Sequence, residues 1–528
     1  MESDVSADLI LKNCFIYGWQ EIGRGAIAIK SDLITQVGKT PDIMRLAGQK
    51  TEVIDLTGKI VLPGFIDSHT HFGAFSESLT RVDLSGAKSL KETLERIESF
   101  ASKTPAGDWL SGRGWDKNLW GERFPSRKEL DAVVGDRPCA LLSRCGHILW
   151  ANSRALALAR VTRSTPDPQG GEIERDERGE PTGILKEEAI TLIKQVRPRP
   201  NKEELKRALK NAFKVAHSLG ITSVHTFSDR REFEGLAELQ SEGKLGLRVH
   251  FYFEHPEDSY IKDLGREVLN LRARDRWLSI SGIKCYADGS LGGQTAFMFE
   301  SYEGRPDNLG ISTMSEKELE EKVREAESMS LSCAIHAIGD KANSLALNAI
   351  EAGGRPRSRH RIEHAQLLRR EDIPRFAKLG IVASVQPCHI LGDIPACERY
   401  WGRRSRFAFA FRSLQESGAT LAFGTDAPIE RLSPLRGIYA AVARQTEEGE
   451  PKGGWYLQER IKLEEAIRCY TWAGAYAAFQ EGFKGSVAVG KAADLTAVRE
   501  GFLTLSPREI LSAEAELTVL SGNVVLRK

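Results

Sequence analysis

Two histidines separated by one residue, His69 and His71, close the stretch Gly64-Phe65-Ile66-Asp67-Ser68-His69-Thr70-His71. The apolar run Ile60-Val61-Leu62 leads into it, which reads as a buried strand with the histidines at its end. Residues two apart on a strand face the same side, so both imidazoles aim at one point, as two ligands of one metal ion do. A strand end with two exposed histidines would show the same spacing. What separates the readings is recurrence: matching groups stand at the ends of further apolar segments. Lys284 lies in Ile283-Lys284-Cys285-Tyr286, His336 in Ala334-Ile335-His336, His364 in Arg361-Ile362-Glu363-His364, and Asp426 in Phe423-Gly424-Thr425-Asp426. Four histidines and an aspartate brought to one place make a ligand set for Zn²⁺ or a similar divalent ion. A lysine among apolar neighbours is costly unless neutralised or paired, and a metal site offers a reason for it.

The elements that must position these residues are strands alternating with helices. Strands are predicted at Ile221 to Phe227, Leu247 to Phe253, Leu278 to Tyr286, Ser332 to His336, His360 to His364, Val382 to Gln386 and Leu421 to Thr425, and helices include Glu203 to Leu219, Glu316 to Met329 and Arg370 to Leu379. With the His69/His71 strand they make eight β/α units, which imply an α/β fold: a parallel (β/α)8 barrel of the TIM type. Chemistry in such barrels gathers at the C-terminal strand ends, where these polar residues fall. Short strands before Leu56 and after Asp494 predict a small β-sandwich domain built from both termini, residues 1–58 and 483–528. The barrel is expected over 59–75 and 201–482. The stretch 76–200 lacks clear periodicity, is rich in Trp, Gly and Arg, and reads as an inserted subdomain that selects the substrate.

With 528 residues the chain exceeds one ordinary core, and 41% hydrophobic with 28% charged residues is globular. Lys and Arg total 74 against 73 Asp and Glu, a balance that argues against nucleic acid or an anionic membrane as main partner. No apolar run reaches membrane-spanning length, and the first residues carry neither a basic segment nor an apolar signal core. The eight cysteines form no Cys-X-X-Cys pair, so a disulfide framework is not expected and a cytoplasmic setting is. The expected partner is a small-molecule substrate, and a homodimer stays open.

The strand-end ligands in this order, with Gly114-Trp115-Asp116, Gly146-His147, Asp288-Gly289-Ser290-Leu291-Gly292, His336-Ala337-Ile338-Gly339-Asp340 and Gly424-Thr425-Asp426-Ala427-Pro428, resemble the amidohydrolase superfamily, in the branch that contains N-substituted formamide deformylase. The resemblance implies that Lys284 is carboxylated and bridges two metals, with His69, His71 and Asp426 on the more buried one and His336 and His364 on the other. One or two divalent ions, zinc first among them, would then serve hydrolysis of a C–N bond. Asp426 would be the catalytic group, taking a proton from the attacking water and passing it to the leaving nitrogen. A lactam, imide, carbamate or deaminated ring would suit the same fold, and so would a scaffold without activity. Candidate substrate contacts are Trp115, His147, Asp288 and His389, of which Trp115 and His389 read equally well as packing residues. His225 reads as a core histidine, and Asp340 as a helix cap or a partner of a ligand histidine.

Overall fold

The protein was described as a computed structural model that covers residues 6–18, 22–105, 109–120, 123–143, 148–198, 201–254 and 275–528. The chain divides into two compact units, 1–75 with 209–528, and 76–208.

The first unit contains eight parallel strands in sequential order: β1 (Phe65–Thr70), β2 (Ile221–Ser228), β3 (Arg248–Glu254), β4 (Leu278–Tyr286), β5 (Ser332–Ala337), β6 (Arg361–His364), β7 (Val382–Val385) and β8 (Thr420–Phe423). Seven of these are the strands read from the apolar runs, within a residue or two at each end, and the first starts later than its apolar run. The seam between β1 and β8 is stitched at its C-terminal end. Asp426 N–H donates to His69 O at 2.7 Å, and His71 N–H to Ala427 O at 2.8 Å. The buried Asp67 carboxylate reinforces the seam by accepting from Thr425 N–H at 2.9 Å and from the Thr425 hydroxyl at 2.6 Å. The bonds that close the barrel are therefore made by the same short segments that carry His69, His71 and Asp426.

Strands from both termini form one continuous eight-stranded sheet. Its buried face joins Leu9, Ile27, Ile34 and Ile54 from one end of the chain with Leu495, Ala497, Leu517 and Val519 from the other. One boundary differs from the expectation. Ile60-Val61-Leu62 does not run on into the histidine strand: Lys59–Pro63 pairs with Leu495–Arg499 and with Phe15-Ile16 in the terminal sheet. The chain changes sheets at Gly64, whose N–H donates to Asp494 O at 2.8 Å. Any Cβ at Gly64 would collide with Thr222, so this crossing needs glycine.

The second unit is more regular than its composition suggests. It holds a six-stranded sheet with helices Leu90–Ala101 and Arg127–Val134. Two of its strands contain glycines at positive φ, Gly114 at 100° and Gly183 at 108°, each pressed against neighbouring atoms. Glycines at such positions break the alternation by which strands are recognised, which is why the stretch reads as irregular. No helix among the described residues is long and apolar enough to cross a membrane.

Beneath the barrel, the Arg248 guanidinium pairs with Asp494 at 2.6 and 3.1 Å, both side chains buried, and so ties β3 to the terminal sheet. Beside it Lys484 is 1% exposed, donating to Ser223 Oγ and, at 3.0 Å, to His250 Nε2. Burial, with Arg248 adding repulsion, lowers the Lys484 ammonium from 10.5 to about 7. Between these two pH values the unfolded chain binds more protons here than the folded one, so stability rises with pH across the window and the burdened form persists below it. Lys484→Met should flatten the rise of the thermal midpoint from pH 7 to 10.5. Profiles that stay parallel in both proteins would show that Lys484 is not its source.

Candidate metal centre

Alternation along β1 delivers His69 and, just past its end, His71 to the C-terminal mouth of the barrel. Asp426 follows β8, and its Oδ1 lies 3.4 Å from both His69 Nε2 and His71 Nε2. The convergence read from the spacing is thus present. A tight group also includes β6: His69, His364 and Asp426 offer atoms all within 4.8 Å of one another. His364 therefore lies between His69 and His336, its ring centre 5.0 Å from that of His69. The His336 and His364 ring centres are 4.5 Å apart, so His336 borders the group. Lys284 is 1% exposed, with Nζ 4.2 Å from the centre of the Phe227 ring. Among the described residues no hydrogen bond or ion pair to that ammonium is found.

Two features of this group resist a purely structural reading. His364 and Asp426 adopt left-handed backbone conformations, φ 72° and 62°, which cost a non-glycine residue of order 1–3 kcal/mol. In addition, His69 Nε2, His364 Nδ1, His389 Nε2 and Asp426 Oδ1 are buried without a hydrogen-bond partner among the described residues. Buried polar atoms are normally satisfied, so orphans this close together mark a place that fits a cation.

The electrostatics divide the histidines: burial lowers His71, but the Asp426 and Glu254 carboxylates outweigh it and raise that imidazole, whereas His336 and His364 are pressed down. Burial, with His336 and His69 nearby, holds His364 well below the ordinary histidine range. Burial and the Lys284 charge press His336 down to about 3. Both rings are neutral and keep a lone pair. Burial opposes the charge on Asp426, but the imidazoles of His389, His69 and His71 outweigh it and hold the carboxyl well below its usual range. Burial lowers Lys284, against the pull of Glu363, Glu254 and Asp426.

The remaining candidates separate. His389 opens the segment after β7 and sets Nε2 3.4 Å from Asp426 Oδ2, so it belongs to the group. Asp288 is a correction: it is 2% exposed, its oxygens accept from Phe297, Ile338 and Gly339 N–H at 2.8–3.0 Å and its Oδ1 lies 3.4 Å from His336 Nε2, so it ties loops together beside a candidate ligand. Trp115 is likewise corrected to a packing role. It is 1% exposed within the insert's core, donates its indole N–H to Leu141 O at 2.9 Å and stacks on Trp120. His147 lies outside the described residues. Asp340 is the first residue of the helix Asp340–Gly353 and accepts from Phe299 N–H at 3.0 Å. Sequence reasoning missed Glu363, whose Oε2 is 2.6 Å from His69 Nδ1, and Glu254, which accepts from the Tyr286 hydroxyl at 2.6 Å and lies 3.5 Å from His71 Nδ1. The signal for Glu363 was there: in Arg361-Ile362-Glu363 the charged residues alternate with an apolar one on a barrel strand, which points both charges inward.

Comparison with known proteins agrees with this geometry. Residues 52–526 match the family model described as "Amidohydrolase family". The putative amidohydrolase YtcJ of Bacillus subtilis is 32% identical over 97% of this chain and 98% of its own. N-substituted formamide deformylase of Arthrobacter pascens is 28% identical over 94% of each. Among solved structures, an uncharacterized metal-dependent hydrolase from Pyrococcus furiosus superposes with a TM-score of 0.76 at 31% identity, covering 95% of this chain and 99% of that one. Together with the strand-end donors, these matches establish that the chain belongs to the amidohydrolase family.

Proposed function

We propose that this protein hydrolyses a C–N bond, most simply the amide of a small N-substituted substrate, with a divalent metal held by His69, His71, His364 and Asp426 and bordered by His336 and Lys284. The observation that carries the reading is the convergence of buried, unpartnered donor atoms on one point of the barrel mouth. The amide is suggested by the deformylase relative and by the family as a whole. A bound divalent cation, zinc in the first instance, supplies Lewis-acid polarisation to water and to the substrate carbonyl.

The protein's own residues do the rest. Asp426 is ionised and faces three imidazoles, so it can take a proton at Oδ1 or Oδ2 and return it to the leaving nitrogen. His389, beside Oδ2, orients that carboxylate and is placed to meet the substrate. Neutral His336 and His364 cannot protonate the attacking water and so do not oppose its activation. Lys284 is the residue we assign to carboxylation. Its amine, on a side chain 1% exposed and without an anionic partner within hydrogen-bond distance among the described residues, would add to CO₂ with loss of one proton, and the carbamate would offer a bound cation two oxygens that share one negative charge. The insert, residues 76–200, remains the proposed source of substrate selection. A cytoplasmic location fits the seven free, buried cysteines among the described residues.

Asp426→Asn should keep the fold and much of the metal while lowering kcat by about 10²–10⁴, measured on N-substituted formamides and amides with metal content determined in parallel. Near-normal turnover would reject Asp426 as the proton carrier. Metal binding without turnover of any C–N substrate would favour the inactive scaffold. Lys284→Ala should lose bound metal and most activity, with partial recovery of both in a short carboxylic acid. A map of the wild type at saturating bicarbonate showing a bare ammonium beside full metal occupancy would refute the carbamate.

A further inference from the structure

Directly behind the candidate ligands the barrel holds one wholly buried ion pair, Arg361 and Glu363, both side chains 0% exposed. Two apart on β6, they project to the same interior side. Arg361 Nε donates to Glu363 Oε1 at 2.7 Å and Nη2 to Oε2 at 3.1 Å. The guanidinium also donates to Ser68 O on β1 at 2.6 Å, to His225 Nδ1 on β2 at 2.7 Å, to the Tyr252 hydroxyl on β3 at 3.2 Å and to Ser384 Oγ on β7 at 2.7 Å. One side chain thus touches five of the eight strands, using the planar fork that lysine lacks.

Replacing such a pair by well-packed apolar residues is often neutral or stabilising, so its presence in a core calls for a return other than stability. The geometry shows one. Glu363 Oε2 already accepts a guanidinium N–H and lies 2.6 Å from His69 Nδ1. An acceptor there takes the hydrogen on Nδ1, and in the neutral ring that binds a cation this puts the lone pair on Nε2, the atom 3.4 Å from Asp426 Oδ1. We propose that Arg361 and Glu363 are positioning residues for the metal: they lock His69 in the tautomer and ring orientation that present Nε2, so that the affinity of the site is set from the barrel core. His225, passed over as a core histidine, takes part by accepting from Arg361. The inference rests on the metal-centre reading above.

The test is Zn²⁺ affinity of the apo-protein by chelator competition, with Co²⁺ absorption as a report on ligand geometry. Wild type and His69→Ala come first. If wild type binds no Zn²⁺, or His69→Ala binds as tightly, the metal-centre reading fails and the inference goes with it. Given binding through His69, Glu363→Gln should raise the Kd for Zn²⁺ about 10–100-fold and shift the Co²⁺ spectrum. A Kd within twofold of wild type with an unchanged spectrum, whatever happens to the apo-protein's thermal midpoint, would make the pair merely structural. Should Glu363→Gln not fold, Ser384→Ala removes a single acceptor from Arg361. It should raise the Kd roughly two- to fivefold. No change in Kd or Co²⁺ spectrum in that variant would overturn the proposal.

Discussion

A polar atom taken out of water must find a partner inside the protein, and at the mouth of this barrel four such atoms do not find one among the described residues. His69 Nε2, His364 Nδ1, His389 Nε2 and Asp426 Oδ1 are buried together, three of them on residues whose positions follow directly from the ends of parallel strands. The deficit is the organising constraint of the structure. It explains why two of the residues hold left-handed backbone conformations, why His336 and His364 stay neutral, and why the strand seam is closed by bonds to the ligand-bearing segments themselves. A cation held by His69, His364 and Asp426 would satisfy three of the four at once.

The charges deeper in the barrel are arranged differently: each has its partner. Arg361 uses its fork on five strands, Arg248 is paired with Asp494, and Lys484 ends on Ser223 and His250. The charged side chains therefore run from paired ones at the base to a mouth whose donors lack partners among the described residues. The contact between Glu363 and His69 is where the two regimes meet.

Much of this was legible in the sequence because strands with a period of two fix which residues share a side. His69 with His71, the strand-end positions of His364 and Asp426, and the eight-strand order all followed from apolar runs ending in polar residues. What could not be read has physical causes. Gly64 lets the chain leave one sheet for another with no break in the apolar run around it. Asp288 looks free in sequence, yet three backbone N–H groups of distant loops consume it. Trp115 carries no periodic signal that distinguishes a wall from a core, because strand glycines interrupt the alternation around it. His364 stands near both His69 and His336, a placement that spacing along the chain does not specify.

The central claim is that His69, His364 and Asp426 are ligands of one cation, and anomalous diffraction from crystals equilibrated with Zn²⁺ tests it most directly. The account predicts a zinc-edge peak about 2.0–2.2 Å from His69 Nε2 and from an Asp426 oxygen, with His364 in the same coordination sphere. An empty map at that position under saturating Zn²⁺, with the three side chains arranged as here, would contradict it.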